Sequence, residues 1–352
     1  MFIEKISRLV VVVKRVGAGL IGAGFAANIH ANAYKRLPNV DVVAVYSRTA
    51  ERAKKFAEDH GLKAWYTDMD ELLEREDIDI VSIAIPNYLH AKAALKAIEH
   101  GKNVIVEKPL TTTIEDADKL IEAAKREGVK LMYAENMLFS PAMRRAREII
   151  EEGAIGDILV VEARESHSGS HSPYALKKEY CGGGSLMNLG VHPIGVALWL
   201  IDSPVDRVYA EMGNLYHKLE AEDHASLFIR FKNNSLATIH ASYTVKGGID
   251  DRVEIYGTDG SIYVNLFRVS PVKVYSEKGY SYVVEKATIS TGWTFPSVDE
   301  IWQLGYEKEI EHFVNCVVND EEPFPGGEFG KKVLEVVFAA YKSVEEGRPQ
   351  RL

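Results

Sequence analysis

The stretch "VKRVGAGLIGAGFAANIHANAY", Val13 to Tyr34, holds two overlapping glycine signatures, and the one that forms the turn decides the fold. GAGLIG (Gly17, Gly19, Gly22) matches the dinucleotide-binding pattern G-x-G-x-x-G letter for letter, whereas GAGFAA (Gly22, Gly24, Ala27) ends in alanine. In such a unit a buried, uncharged parallel strand feeds the turn and a helix starts directly behind it. With GAGLIG as the turn, Lys14 and Arg15 would sit near the end of that strand. Gly22 and Gly24 would then fall in the first helical turns, each costing about 1 kcal/mol against alanine. With GAGFAA the strand is Val16 to Ile21, free of charge, and the helix carries Phe25, Ile29, Ala33 and Leu37 as an apolar stripe at i, i+4 spacing.

The next strand, "VDVVAVYSR", ends at Ser47, and the ribose-reading residue should fall about 20 residues past the turn, which suits Gly22 better than Gly17. Alanine is accepted in the last place because only close helix–strand packing is required there. The imperfect copy is therefore the expected phosphate-binding turn. Gly22 and Gly24 let the backbone approach a pyrophosphate, and the helix opening at Phe25 and Ala26 supplies amide donors and a positive dipole end.

Outward from that turn, strands and helices alternate. A helix from about Thr49 to His60 stops at Gly61, and "TDMDELLE" opens another with a capping-box pair, Asp68 and Glu71. "DIVSIAIP" reads as a buried strand, "LHAKAALKAIEHG" as a helix, "NVIVEKP" as strand and turn, Ile114 to Glu127 as a helix and "KLMYAEN" as a strand. This is the pattern of a doubly wound α/β Rossmann sheet, parallel throughout. After Pro141 and one helix, Ala142 to Glu152, strands dominate with turn signals between them. An α+β unit with an open, mostly antiparallel sheet is expected, closed by helices around Tyr306 to Val318 and Lys331 to Glu346. The division is 1–14 as an N-terminal extension, 15–138 as the dinucleotide-binding domain and 139–352 as a substrate-binding and oligomerisation domain.

Length and composition agree with two domains. The chain has 352 residues, 46% hydrophobic and 26% charged, in the range of globular proteins. A net charge of -9 argues against a nucleic-acid binder, which needs a basic face. The two cysteines, Cys181 and Cys316, have no paired spacing, so no disulfide frame or zinc ribbon is expected and a cytoplasmic location is. The apolar run Leu9 to Val13 is too short for a secretory or membrane-spanning segment, and no other segment is read as crossing a membrane.

GAGFAANIHANAY, then IAIPNYLHAKAALKAIEHGKNVIVEKPL, then GGGSLMNLGVHPI, in that order and spacing, resemble the glucose–fructose oxidoreductase/inositol dehydrogenase (Gfo/Idh/MocA) family. The similarity runs from about Lys14 to the C-terminus and takes in "YGTDGSIYVN" and "AAYKSVEEGR". It implies reversible oxidation of a sugar or polyol hydroxyl with NAD or NADP, in a homo-oligomer such as a dimer or tetramer. It also keeps two alternatives open: an enzyme that uses NAD transiently to cleave or eliminate a glycosidic bond without net redox change, and a non-catalytic cofactor-dependent binding protein.

Residue by residue, Glu107-Lys108-Pro109 follows the carboxyl end of a parallel strand, where open α/β sheets bind ligands. Lys108 can aim an ammonium at a reacting oxygen, and His192 is the best proton carrier. The family usually has Asp four residues before this histidine, and here Asn188 stands there, able to hydrogen-bond a substrate but not to carry a proton. Pro193 disfavours an unbroken helix through His192. Gly182 to Gly184 read as a close pass by substrate and cofactor. "SHSGSHSPY", with His167, His171 and Tyr174, reads as a substrate-facing loop rather than a metal site, since no third ligand completes it. Ser47-Arg48 replaces the ribose-gripping carboxylate, which tilts the site from NAD towards NADP. By resemblance Pro86, Asn87 and His90 line the nicotinamide side, with Glu107 and Lys108.

Overall fold

The computed structural model describes residues 15–170, 177–246, 248–267, 272–278, 291–294, 296 and 298–352; the N-terminal extension, His171 and Tyr174 lie outside the described residues. The first half alternates β1 (Val16–Ile21), α1 (Phe25–Lys35), β2 (Val40–Tyr46), α2 (Ala50–His60), β3 (Ala64–Tyr66), α3 (Met69–Leu73) and β4 (Ile80–Ile83). It continues with α4 (His90–Glu99), β5 (Asn103–Val106), α5 (Ile114–Glu127) and β6 (Leu131–Tyr133). All neighbouring strands are parallel, in the order β3-β2-β1-β4-β5-β6, the doubly wound arrangement whose order reverses beside β1.

The register at the first turn is the one expected. β1 is buried at every residue, and α1 begins at Phe25 with Gly24 as its N-cap. The glycines of the letter-perfect copy serve the packing of the strand instead. Gly17 lies inside β1, where a Cβ would stand 1.7 Å from the carbonyl oxygen of Asp77. Gly17 thus lets the chain before β4 press against β1, and its N–H donates to Asp79 Oδ2 at 2.8 Å. Gly22 makes the turn itself, with φ +122° and the Ala84 carbonyl where a Cβ would go. Of the expected stripe on α1, Ile29, Ala33 and Leu37 are buried, but Phe25 is 40% exposed. It stands at the mouth of the turn, above the level of the core.

The second half opens with α6 (Pro141–Glu151), β7 (Ile158–Ser166), α7 (Lys178–Cys181) and α8 (Val191–Ile201). Strands β8 (Val205–Gly213), β9 (His224–Phe231), β10 (Leu236–Ser242), β11 (Asp250–Gly257) and β12 (Ser261–Asn265) follow, with the short ribbon β13 (Val274–Ser276) and β14 (Gly292–Thr294). The chain ends in α9 (Glu300–Gln303), α10 (Tyr306–Asn319), α11 (Gly327–Glu346) and β15 (Gln350–Arg351). The large sheet runs β12-β11-β7-β10-β9-β8-β15, antiparallel except for the β7–β10 pair. Its inner face, including Val161, Ala163, Leu227, Ile229 and Ile239, is buried beneath α8 and α11. On the outer face Phe228 and Tyr263 are exposed.

The closing helices do more than finish the second domain. α10 packs on α1, and α11 packs on α5 and β6 as well as on β8 and α8. The chain just before α11 also extends the first sheet, since Tyr133 N–H donates to the Pro325 carbonyl and Met132 bridges Gly326. The run Lys178–Ile201 is long and apolar enough to cross a membrane by length and composition, which corrects the sequence reading that no such segment exists; most of it is buried within the protein.

Candidate active site

At the carboxyl end of the parallel sheet three features meet. The first is the opening of α1, which no side chain caps and whose first turn carries no acidic residue. A Cβ added at Gly24 would meet nothing within 4 Å, so the space in front of these amides is open. An uncapped helix N-terminus facing open space suits a pyrophosphate. At the end of β2, Ser47 donates its N–H to the Tyr66 carbonyl while Arg48 is exposed, with no ion pair among the described residues.

The second is the turn after β5. The Lys108–Pro109 peptide is cis. Lys108 Nζ donates to the Asn188 carbonyl at 2.9 Å, bridging the two halves of the chain. The Glu107 side chain is half-buried and tied to the first domain. Its Oε1 lies 3.0 Å from His30 Nε2 and its Oε2 accepts the Lys108 N–H. Burial works to raise the Glu107 pKa, but the His30 hydrogen bond and the charges of His30, Lys108 and His192 outweigh it and hold the group at about 2. Behind them His30 Nδ1 and the Tyr34 hydroxyl both bond the buried Ser82 Oγ.

His90 corrects the sequence reading. It is fully buried, with Nδ1 2.8 Å from the Pro109 carbonyl and Nε2 2.8 Å from that of Ile85. It braces the turn from behind, and burial lowers its pKa. Asn87, after β4, donates Nδ2 to Asn188 Oδ1 and to the Cys181 carbonyl, both at 3.1 Å, so it ties the first domain to the glycine loop; Pro86, before it, is half-buried.

The third feature is the helix that carries Asn188 and His192. It runs on through Pro193, contrary to the expected break, by loosening: residues Leu186–Gly190 form a π-helical turn that flows into α8. Pro193 has no N–H to return to a carbonyl four or five residues back. The Asn188 carbonyl takes the Lys108 ammonium instead, a functional use of a π turn. The Asn188 side chain is held at both ends, Nδ2 donating to the Gly184 carbonyl at 2.9 Å and Oδ1 accepting from Asn87.

Gly182, Gly183 and Gly184 pass close to protein rather than to open space. A Cβ at each would meet, in turn, Thr112 Cβ at 3.0 Å, the Tyr341 hydroxyl at 2.0 Å and the Glu222 carbonyl at 2.0 Å. Glu222, unremarked in the sequence, fixes this loop: its carboxylate accepts from Gly184 N, Leu186 N and the Tyr341 hydroxyl. Burial raises its pKa.

His192 is buried, and its Nδ1 lies 2.6 Å from Glu135 Oε1. His167, the first residue after β7, is buried too and paired with Glu165 at 3.0 Å, so it does not stand on an exposed loop. Sequence reasoning passed over Glu135 and Glu165. Glu135 stands two residues past β6, at the same ligand-binding sheet end that drew notice to Lys108. Glu165 interrupts the inward-facing row Val161, Ala163 with a charge. Those were the available signals. Among the described residues no group of three or more His, Cys, Asp or Glu side chains is arranged to hold a metal ion.

A six-stranded nucleotide-binding sheet with an uncapped helix at its switch point, and a second domain laying a histidine-bearing helix across its carboxyl end, is the architecture of a two-domain nicotinamide-dependent oxidoreductase. The chain belongs to the Gfo/Idh/MocA family: residues 16–135 match "Oxidoreductase family, NAD-binding Rossmann fold" and residues 143–263 match the "GFO/IDH/MocA C-terminal domain". It is 28% identical to scyllo-inositol 2-dehydrogenase (NAD(+)) of Bacillus subtilis, over 96% of each chain. Among solved structures it is similar to GenD2 from gentamicin A biosynthesis in complex with NAD, with a TM-score of 0.91, 27% identity and 97% of each chain covered. It is also similar to levoglucosan dehydrogenase in complex with NADH and levoglucosan, with a TM-score of 0.83, 26% identity and 96% and 99% covered. The chain is an NAD(P)-dependent oxidoreductase.

Proposed function

We propose that the protein oxidises a secondary hydroxyl of a sugar, polyol or sugar derivative, or reduces the corresponding ketone. One observation carries this: Lys108, from the nucleotide-binding domain, contacts the helix that bears His192, so a fixed cation and a proton carrier share one seam at the sheet's carboxyl end. The names of the relatives, inositol and levoglucosan dehydrogenases, support the substrate class.

Bound in front of α1, the nicotinamide cofactor supplies the hydride acceptor or donor. The chain's own residues supply the rest. One Lys108 N–H is used on Asn188, and the others stabilise negative charge on the substrate oxygen as its proton leaves. His192 takes that proton on oxidation and returns it on reduction. Asn188, locked by Asn87 and Gly184, presents its remaining amide capacity to a neighbouring hydroxyl. Arg48, exposed and unopposed by a carboxylate, supports a preference for NADP over NAD. The open outer face of the large sheet supports a homo-oligomer, dimer or tetramer, and the two buried free cysteines support a cytoplasmic setting.

The test is a cofactor titration followed by a panel of sugars and polyols read at nicotinamide absorbance. Substrate-dependent absorbance change, lost in Lys108→Ala, supports the reading. Tight cofactor binding with no change on any substrate overturns it in favour of cofactor-assisted bond cleavage or simple ligand binding.

A further inference from the structure

Two buried carboxylates flank the His192 ring. Glu135 Oε1 lies 2.6 Å from Nδ1, and Glu165 Oε2 lies 3.7 Å from Nε2, beyond hydrogen-bonding reach. Glu135 is wholly buried, and its Oε2 has no hydrogen-bond partner among the described residues. That oxygen faces α8 at Gly195, where an added Cβ would stand 3.5 Å from it. The Glu135 side chain is therefore committed to the imidazole. Glu165 is held on its other oxygen by His167 Nε2 at 3.0 Å. Further buried groups act on the same cluster: Glu107 feels the charge of His192, and Glu309 and Tyr133 feel both Glu107 and Glu135.

A carboxylate only accepts hydrogen bonds, so Nδ1 must carry its proton towards Glu135. In the neutral ring Nε2 is then the nitrogen with the lone pair. We infer that Glu135 is a positioning residue, which fixes the orientation and tautomer of His192 so that Nε2 receives and returns the substrate proton, while Glu165 faces Nε2 and stabilises the imidazolium once it forms. The proton-transfer part rests on the dehydrogenase reading above; the tautomer does not. A carboxylate set on one ring nitrogen is a general means of reserving the other for chemistry.

The experiment uses Glu135→Gln in the full chain. The carboxamide keeps the size but can donate to Nδ1, which reverses the tautomer. Nitrogen-15 NMR of histidine-labelled protein, with His192 assigned by His192→Asn, should show Nδ1–H in the parent and Nε2–H in the variant. With substrate, kcat should fall at least about tenfold while KM and cofactor Kd stay within about twofold, and Glu135→Asp should recover part of the loss. The acid limb of kcat/KM should move to lower pH, because an anion beside the imidazole has gone. An Nε2–H tautomer in the parent overturns the inference, and so does an unchanged kcat and pH profile in Glu135→Gln. If Glu135→Gln does not fold, the parent tautomer and Glu135→Asp kinetics decide. If the parent turns over no substrate, the dehydrogenase reading fails while the NMR result still settles the tautomer.

Discussion

The Lys108 ammonium and the Asn188 carbonyl, 2.9 Å apart, join the turn at the end of one sheet to a loosened helical turn beneath the other. Lys108→Met keeps the stem and removes every donor. With the developing charge on the substrate oxygen unopposed, kcat should fall by about 10²- to 10⁴-fold. Cofactor affinity should change little. Steady-state kinetics beside a binding titration measure both, and undiminished turnover would remove Lys108 from the chemistry.

Glycines in the first turn separate folding from binding. Gly22→Ala forces φ +122° on alanine and drives its Cβ to 2.1 Å from the Ala84 carbonyl, so stability should drop by about 1–3 kcal/mol or more. Gly24→Ala meets nothing within 4 Å, and its stability should stay within about 0.5 kcal/mol of the parent. Its methyl group, however, enters the space before the helix amides, and cofactor Kd should rise. Urea unfolding and cofactor titration of the same two variants distinguish the roles; equal stability losses would contradict the assignment.

The proposed preference for NADP rests on Arg48. Removing a guanidinium that contacts a 2′-phosphate forfeits about 1.5–3 kcal/mol, roughly ten- to a hundredfold in KM for NADP. Arg48→Ser should show that rise with KM for NAD nearly unchanged. A parallel loss with both cofactors would mean that Arg48 packs on the adenine instead.

The buried carboxylates pull stability in opposite directions with pH. Burial, together with the charges of Glu107 and Glu135, raises the Glu309 pKa well above its ordinary value. A group raised in the folded state contributes stability that is complete below its unfolded pKa and is lost as pH rises through the folded value. Glu107, held at about 2, contributes stability that is present above its ordinary pKa and lost as pH falls towards 2. Glu309→Gln, close in shape to the neutral acid, should therefore flatten the decline in unfolding free energy on the alkaline side. Denaturant melts from pH 5 to pH 9 show this directly; an identical slope in parent and variant would place the alkaline loss elsewhere.

The first sheet was legible because its strands carry their own punctuation. Its strands are short apolar runs in which Asp41 is the only charged residue, and the helices between them stop at Gly61, Gly101 and Gly128, all with positive φ. Lys108 was legible as a residue type at a sheet end, and Asn188 and His192 through the resemblance carried by GGGSLMNLGVHPI. Their partners were not. Glu135, Glu165 and Glu222 act across gaps of tens of residues, and a lone glutamate near a strand looks the same whether it faces solvent or an imidazole. His90 shows the reverse error: placed correctly in the chain, it turns its side chain into the protein, a matter of rotamer and packing that spacing does not encode. The glycine loop misled in the same way, because its close neighbours, Thr112, Tyr341 and Glu222, come from three separate parts of the sequence.

Helix α11 lies against α5 and β6 on one side and β8 and α8 on the other, with residues 325–326 already stitched to the edge of β6. Swinging the two domains apart like a clamshell would strip this helix from one of its beds and expose apolar side chains such as Val333, Leu334 and Val337 to water. Any such opening therefore carries the cost of unburying α11. The same packing holds the seam that joins Lys108 to the His192 helix in register.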